Sequence, residues 1–215
     1  MVCITVPMTA DASEAGQAAR AAQIAAVVLA AGAGTRMGQP KGLLRTAAGE
    51  PWLLRATTLA RDAGCDPVFA VVGARSDEVT ALLPADSPAQ VVVATQWSKG
   101  MAESLRAGLA SASASPAVAC LILLVDMPDL PASVLHRMLE AHVSEDTIRQ
   151  AVYNGRPGHP VLVGRAHWAA LVRDISGDTG ARAYLTAHGV DEIESSDLFD
   201  GHDVDAPCGG PSSDG

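Results

Sequence analysis

Apolar positions along the chain alternate between strand-like runs and helix-like spacing. Residues 24–29 are an unbroken apolar run, long enough for a short buried strand. Residues 52–63 carry apolar side chains at helical spacing after the Gly49-Glu50-Pro51 turn, and Gly64 stands where such a helix stops. A strand over 67–72 follows, ending at Gly73. Next come a short helix before Pro84, with Ser76 as its cap candidate, and a strand at Val91, Val92 and Val93. Trp97-Ser98-Lys99-Gly100 leads into a helix with Leu105 and Leu109 one turn apart. Residues 119–125 are the most apolar run and read as a strand buried on both faces, as in the centre of a parallel sheet. Pro131 opens another helix at its first turn. Strands over 147–153 and 161–163 flank the turn-rich segment 154–160, and helices over 165–173 and 180–188 complete the pattern.

Strands alternating with helices predict a three-layer α/β/α fold around a mostly parallel, Rossmann-like sheet with right-handed crossovers. Ligands bind beyond the carboxyl ends of such strands. That rule puts the loop after the first strand, the Lys99-Gly100 turn and the segment after Val125 on one rim.

The first of these loops is the richest in chemistry. It runs Leu29-Ala30-Ala31-Gly32-Ala33-Gly34-Thr35-Arg36-Met37-Gly38-Gln39-Pro40-Lys41. Small residues let backbone N–H groups approach a ligand closely, and consecutive amides form an anion-binding concavity. Arg36 and Lys41 add positive charge, so the loop suits a polyphosphate. A Walker A loop is excluded because Lys41 is followed by Gly42 rather than Ser or Thr. The dinucleotide fingerprint is excluded because the third glycine comes one residue late, at Gly38.

Composition narrows the class. The 215 residues suit one domain with a substantial core, 48% hydrophobic but only 3% aromatic, so Ala, Val and Leu must fill it. A net charge of −9 argues against a nucleic-acid or anionic-membrane surface. An acidic protein that binds a triphosphate must focus positive charge locally and recruit a divalent cation. The only two lysines, Lys41 and Lys99, both sit beside a glycine in a candidate ligand loop. Cys3, Cys65, Cys120 and Cys208 are scattered, which reads as free thiols in a reducing cytosol. No secretory signal and no membrane-length apolar run is visible, so the expected location is cytoplasmic. Residues 1–22 read as a flexible extension, 23–207 as the folded domain and 208–215 as a disordered tail.

Two further segments carry chemistry. Asp126 ends the most apolar strand and suits a Mg²⁺ site, which takes one or two carboxylates plus phosphate oxygens. The alternative is an N-cap for the helix at Pro131. Gly100 and Ser104 stand at a helix start and offer donors and acceptors to a base edge, or simply belong to an amphipathic helix.

The pattern G-x-G-x-R-M-G-x-x-K resembles the signature loop of the MocA/MobA-like nucleotidyltransferases, the family of the molybdenum cofactor cytidylyltransferases. Leu124 to Leu130 is similar to that family's metal-binding segment, and Gly100-Met101-Ala102-Glu103-Ser104-Leu105 to its G-M-x-x-S-L motif beside base and ribose. Gly155-Arg156-Pro157-Gly158-His159-Pro160 and Gly177-Asp178-Thr179-Gly180-Ala181-Arg182 resemble segments facing the acceptor. Asp203-Val204-Asp205-Ala206-Pro207 resembles a D-x-D-T-P ending that supplies a second metal ligand, with Ala206 in place of Thr. The motifs come in the family's order from Ile24 to Pro207.

The resemblance implies a fold of the nucleotide-diphospho-sugar transferase type and Mg²⁺-dependent transfer of a nucleoside monophosphate to a phosphorylated acceptor. CTP is the favoured donor and molybdopterin the favoured acceptor, with a molybdoenzyme or its chaperone as a further partner. On this basis Arg36, Lys41 and Asp126 are catalytic, and Asp126 and Asp205 hold the metal. Leu29, Ala30, Ala31, Gly32, Gly34, Arg36, Lys41, Gly100 and Ser104 hold the nucleotide, and His159 and Asp178 face the acceptor. Ala31 points to the cytidylyl branch, because the guanylyl branch usually carries another glycine there. The alternatives are a guanylyl- or sugar-phosphate nucleotidyltransferase and a non-catalytic accessory protein for a molybdoenzyme.

Overall fold

In the computed structural model, residues 22–87, 89–177 and 181–205 are described. The expectations for residues 1–21 and 208–215, and for Asp178, Thr179, Gly180, Ala206 and Pro207, lie outside them.

The strands are β1 (Ile24–Ala30), β2 (Val68–Val72), β3 (Ala89–Val93), β4 (Ala119–Leu124), β5 (Ile148–Tyr153), β6 (Arg156–Gly164) and β7 (Asp191–Glu194). The helices are α1 (Trp52–Asp62), α2 (Ser76–Thr80), α3 (Met101–Ser113), α4 (Ala132–Leu139), α5 (Arg165–Asp174) and α6 (Arg182–Ala187). The seven strands form one sheet in the order β3-β2-β1-β4-β6-β5-β7. β1, β2, β3 and β4 pair in parallel, as do β5 and β7, and β6 alone runs against its neighbours.

Side-chain alternation explains the layers. Along β1, Ala26, Val28 and Ala30 join a core shared with Leu53 and Ala60 of α1, Val79 of α2, and Val134, Leu135 and Met138 of α4. Ala25, Val27 and Leu29 face the other way, against Leu105 and Leu109 of α3, Trp168 and Leu171 of α5, and Leu185 of α6. Burying both faces of β1 and β4 requires apolar residues at successive positions, which is why both read as unbroken runs. Among the described residues, no helix is long and apolar enough to cross a membrane.

Several expectations needed correction. β4 has a parallel neighbour on one side only, because β6 beside it is antiparallel. The segment 154–160 is a turn only at Asn154 and Gly155, with φ of 53° and 73°, and β6 already starts at Arg156. Those angles suit a two-residue hairpin, and Asn-Gly is a pair that adopts them. Ser76 does not cap α2: the N-cap is Arg75, in a left-handed conformation, with no side-chain capping bond. β7, whose sequence is Asp-Glu-Ile-Glu, lies at the sheet edge and escaped a search for apolar runs.

Candidate active site

β1, β4 and α3 place the predicted segments around one cleft of about 660 Å³. Its lining includes Leu29, Ala30, Ala31, Gly32, Gly34, Arg36, Lys41, Gly100, Ser104 and Asp126. Trp97, Ser98, Met101, Leu124 and Val125 also line it without having been given a site role, and so does Lys99, which was placed in a candidate ligand loop but not assigned to the nucleotide. The position of Lys99 beside Gly100, as one of two lysines, was the signal that could have added it.

The glycine loop is shaped by left-handed turns. Gly34 has φ 59°, and a Cβ there would lie 1.9 Å from the Gln39 carbonyl oxygen, so only glycine fits. Two one-turn 3-10 helices, Thr35–Met37 and Lys41–Leu43, then carry Arg36 and Lys41 back toward the cleft. On the opposite wall, Gly100 has φ 120° and a Cβ there would lie 2.5 Å from the Gly177 backbone. The Ala102 N–H donates to the Gly177 carbonyl at 3.0 Å, so the segment before Asp178 is fastened to the start of α3. Arg106 holds the same segment, donating to the carbonyls of Val172 and Ile175.

Asp126 lies two residues beyond β4 and is held from both sides. Arg55 donates to the Pro128 carbonyl, and the Val204 N–H donates to the Asp126 carbonyl at 2.9 Å. The second bond brings Asp203 and Asp205 to the same place. Carboxylate oxygens of Asp126, Asp203 and Asp205 lie within 4.8 Å of one another. Asp126 does not cap α4, whose N-cap is Pro131 with no side-chain capping bond.

Lys41 stands between two of these acids. Its Nζ donates to Asp126 Oδ2 at 2.7 Å and to Asp205 Oδ1 at 2.6 Å, and Arg36 pairs with Asp205 Oδ2 at 3.0 Å. Three carboxylates against two cations leave the cluster with one net negative charge. Burial pushes the Asp126 carboxyl up from the ordinary carboxylate range, against the pull of Lys41. Burial works against the charge on Lys41, but its bonds to Asp126 and Asp205 outweigh that and raise it. The hydrogen bond from Lys41 draws Asp205 down.

Asp126 Oδ1 is buried without a hydrogen-bond partner. An orphaned carboxylate oxygen beside two other acids, all hard oxygen donors, fits a divalent cation such as Mg²⁺.

His159 does not line the cleft. It is half-buried on β6, its carbonyl accepts from the Tyr153 hydroxyl at 2.7 Å, and burial pushes its imidazole down to about 4, with Asp203 pulling the other way. It is therefore neutral at pH 7 and stands beside the acid cluster rather than among the cations.

The MobA-like NTP transferase domain matches residues 26–193. A relative of similar length, nicotine blue oxidoreductase of Paenarthrobacter nicotinovorans, is 36% identical over 85% of this chain and 92% of its own. The crystal structure of Rv0371c from Mycobacterium tuberculosis H37Rv aligns with TM-score 0.72 and 32% identity, covering 87% of this chain and 95% of that one. A second structure of Rv0371c, in complex with manganese, aligns with TM-score 0.65 and 29% identity over 80% of this chain and 88% of that one. A nucleotidyl transferase from Methanothermobacter thermautotroptrophicus shares the fold, with TM-score 0.73 at 23% identity over 86% and 92% of the two chains. With the glycine loop, the two cations and the acid cluster in one cleft, the chain belongs to the MobA-like NTP transferase family and is a nucleotidyltransferase.

Proposed function

We propose that the protein transfers CMP from CTP to the phosphate of molybdopterin, the molybdenum cofactor, with Mg²⁺ present and pyrophosphate released. The observation that carries this reading is the meeting of Lys41, Arg36, Asp126, Asp203 and Asp205 beside the glycine loop. In this reading an oxygen of the acceptor phosphate attacks the α-phosphorus of the nucleotide. The bond from that phosphorus to its bridging oxygen breaks, and pyrophosphate leaves with the electron pair. The attacking phosphate is already anionic, so no general base is required. The protein's task is alignment and charge stabilisation.

Lys41, Arg36 and the amides of the glycine loop hold the triphosphate, and Gly100 and Ser104 frame the base. Asp126 and Asp205, with Asp203 beside them, hold the Mg²⁺, as the manganese complex of Rv0371c supports. When bound, the ion supplies positive charge where the phosphoryl oxygens carry negative charge. Asp178 and His159 face the acceptor in this reading, and the product passes to a molybdoenzyme or its chaperone in the cytoplasm. Ala31 supports CTP over GTP as donor.

Pyrophosphate release with a panel of nucleoside triphosphates and phosphorylated acceptors tests this reading. CTP with molybdopterin is expected to be fastest. A clear preference for GTP would keep the transfer and overturn the cytidylyl assignment, and release only with a sugar phosphate would replace the acceptor. A second reading, an oxidoreductase activity, rests on the 36% identical relative, a nicotine blue oxidoreductase. A change in the absorbance of nicotine blue on incubation with this protein, with no pyrophosphate released from any triphosphate, would favour it.

A further inference from the structure

We propose that the Lys41 ammonium occupies the cation position between Asp126 and Asp205, so that Lys41 and a divalent ion compete for the same carboxylates. A bound triphosphate then decides the competition by drawing Lys41 onto its phosphates. The inference rests on the reading of the cleft as a metal and triphosphate site, and adds how that site is kept closed until nucleotide arrives.

The geometry carries it. Lys41 Nζ reaches Asp126 Oδ2 and Asp205 Oδ1 at 2.7 and 2.6 Å, bridging chain segments that are 79 residues apart. Both are residues with which the chain would hold the ion. Mg²⁺ binds carboxylate oxygen at about 2.0–2.1 Å, so an ion sharing these oxygens would stand within about 5 Å of the ammonium. Two cations that close in a partly buried site repel strongly. Lys41 is only 18% exposed and Asp126 only 15%, so solvent screens that repulsion poorly. A triphosphate offers Lys41 other oxygens of the same charge, and Arg36, 76% exposed and paired with Asp205 at 3.0 Å, can exchange that partner for phosphate in the same way. Metal and triphosphate therefore enter together, and when pyrophosphate leaves, Lys41 returns and loosens the ion.

The test measures Mn²⁺ binding to the whole chain by electron paramagnetic resonance, with and without inorganic tripolyphosphate. Lys41→Gln should bind Mn²⁺ alone roughly tenfold or more tightly than the parent, because the competing charge is gone. Tripolyphosphate should then raise its Mn²⁺ affinity by a correspondingly smaller factor. Lys41→Arg, which keeps a cation, should stay as weak as the parent. Equal Mn²⁺ affinity in the parent and Lys41→Gln would overturn the competition.

The unaltered protein gives an independent measurement. With only two lysines in the chain, selective ¹³C-lysine labelling resolves Lys41 from Lys99. Saturating Mg²⁺ should move the Lys41 signal, and Mg²⁺ bound at the cluster with that signal unmoved would overturn the proposal. Asp126→Asn separates the two failures. Mn²⁺ binding that survives this substitution, or a parent that binds no Mn²⁺ even with tripolyphosphate, would overturn the site reading and the inference together.

Discussion

At the scale of the residue, Asp126 shows what a buried carboxylate needs. Its position after a fully apolar strand leaves its side chain only 15% exposed, and Lys41 supplies the charge that makes this tolerable. Asp126→Asn keeps the shape and removes the charge that would offset the cation. Metal-dependent turnover should fall by about 100-fold or more, while Tm moves little, because the loss of an ion pair is balanced by the loss of a buried charge. Lys41→Ala should behave differently. In the proposed role of Lys41 it would remove a charge-assisted contact to the triphosphate of about 1.5–3 kcal/mol, or roughly 10- to 150-fold in turnover. It also leaves Asp126 buried and unpaired, so Tm should fall as well. Steady-state pyrophosphate release and thermal unfolding of the two variants separate these roles, and parent-like turnover in either would remove that residue from the chemistry. The residue types and the order of this site were legible in the sequence. The pairing was not, since Lys41 meets partners 85 and 164 residues away, and no local pattern encodes such a meeting.

At the scale of the element, Gly100 and Gly32, on opposite walls of the cleft, are glycine for opposite reasons. Gly100 is required by the protein itself, because its φ of 120° and the Gly177 backbone leave no room for a Cβ. Gly100→Ala should cost about 1–3 kcal/mol and lower Tm by several degrees. Its second effect should be a higher KM for nucleotide, since the bond from Ala102 to Gly177 must shift. At Gly32 an added Cβ would meet nothing within 4 Å, and the residue faces the open cleft. Gly32→Ala should therefore unfold like the parent and still bind triphosphate more weakly, as calorimetric titration would show. A Gly32→Ala protein with parent affinity would mean that no ligand backbone approaches there. Apolar periodicity found β1, β2, β4 and α1 because each buries a regular set of side chains. It missed β7, whose edge position lets acidic residues alternate with a single half-buried Ile193. It shortened β6, because Pro157, Gly158 and Pro160 read as turn formers although the hairpin to β5 holds them extended.

At the scale of the molecule, the site is closed by the end of the described chain rather than by the sheet. After β7 the Ser195 N–H donates to the Val152 carbonyl, and Phe199 packs edge-on against Tyr153 with ring centroids 5.7 Å apart. Val204 then packs on the core beneath α1 and α4, and its N–H fixes Asp203 and Asp205 beside Asp126. Among the described residues the last strand ends, at Glu194, before this return begins. Two truncations therefore separate folding from function. A chain ending at Asp205 keeps every contact just named and should match the full chain in Tm, Mn²⁺ affinity and turnover. A chain ending at His202 loses Asp203, Val204 and Asp205, and with them the Asp205 partner of Arg36 and one of the two partners of Lys41. Its far-ultraviolet circular dichroism should be that of the parent, and the lost packing of Val204 should cost about 1–2 kcal/mol. Mn²⁺ affinity should fall roughly tenfold or more, because a single Asp126 cannot replace a cluster of three carboxylates. Parent-like metal affinity and turnover in the shorter chain would show that Asp203 and Asp205 stand near the site without taking part in it. Loss of metal binding at unchanged secondary structure would show that this returning segment, 77 residues beyond Asp126 when it reaches Asp203, is the part of the chain that completes an otherwise finished α/β domain.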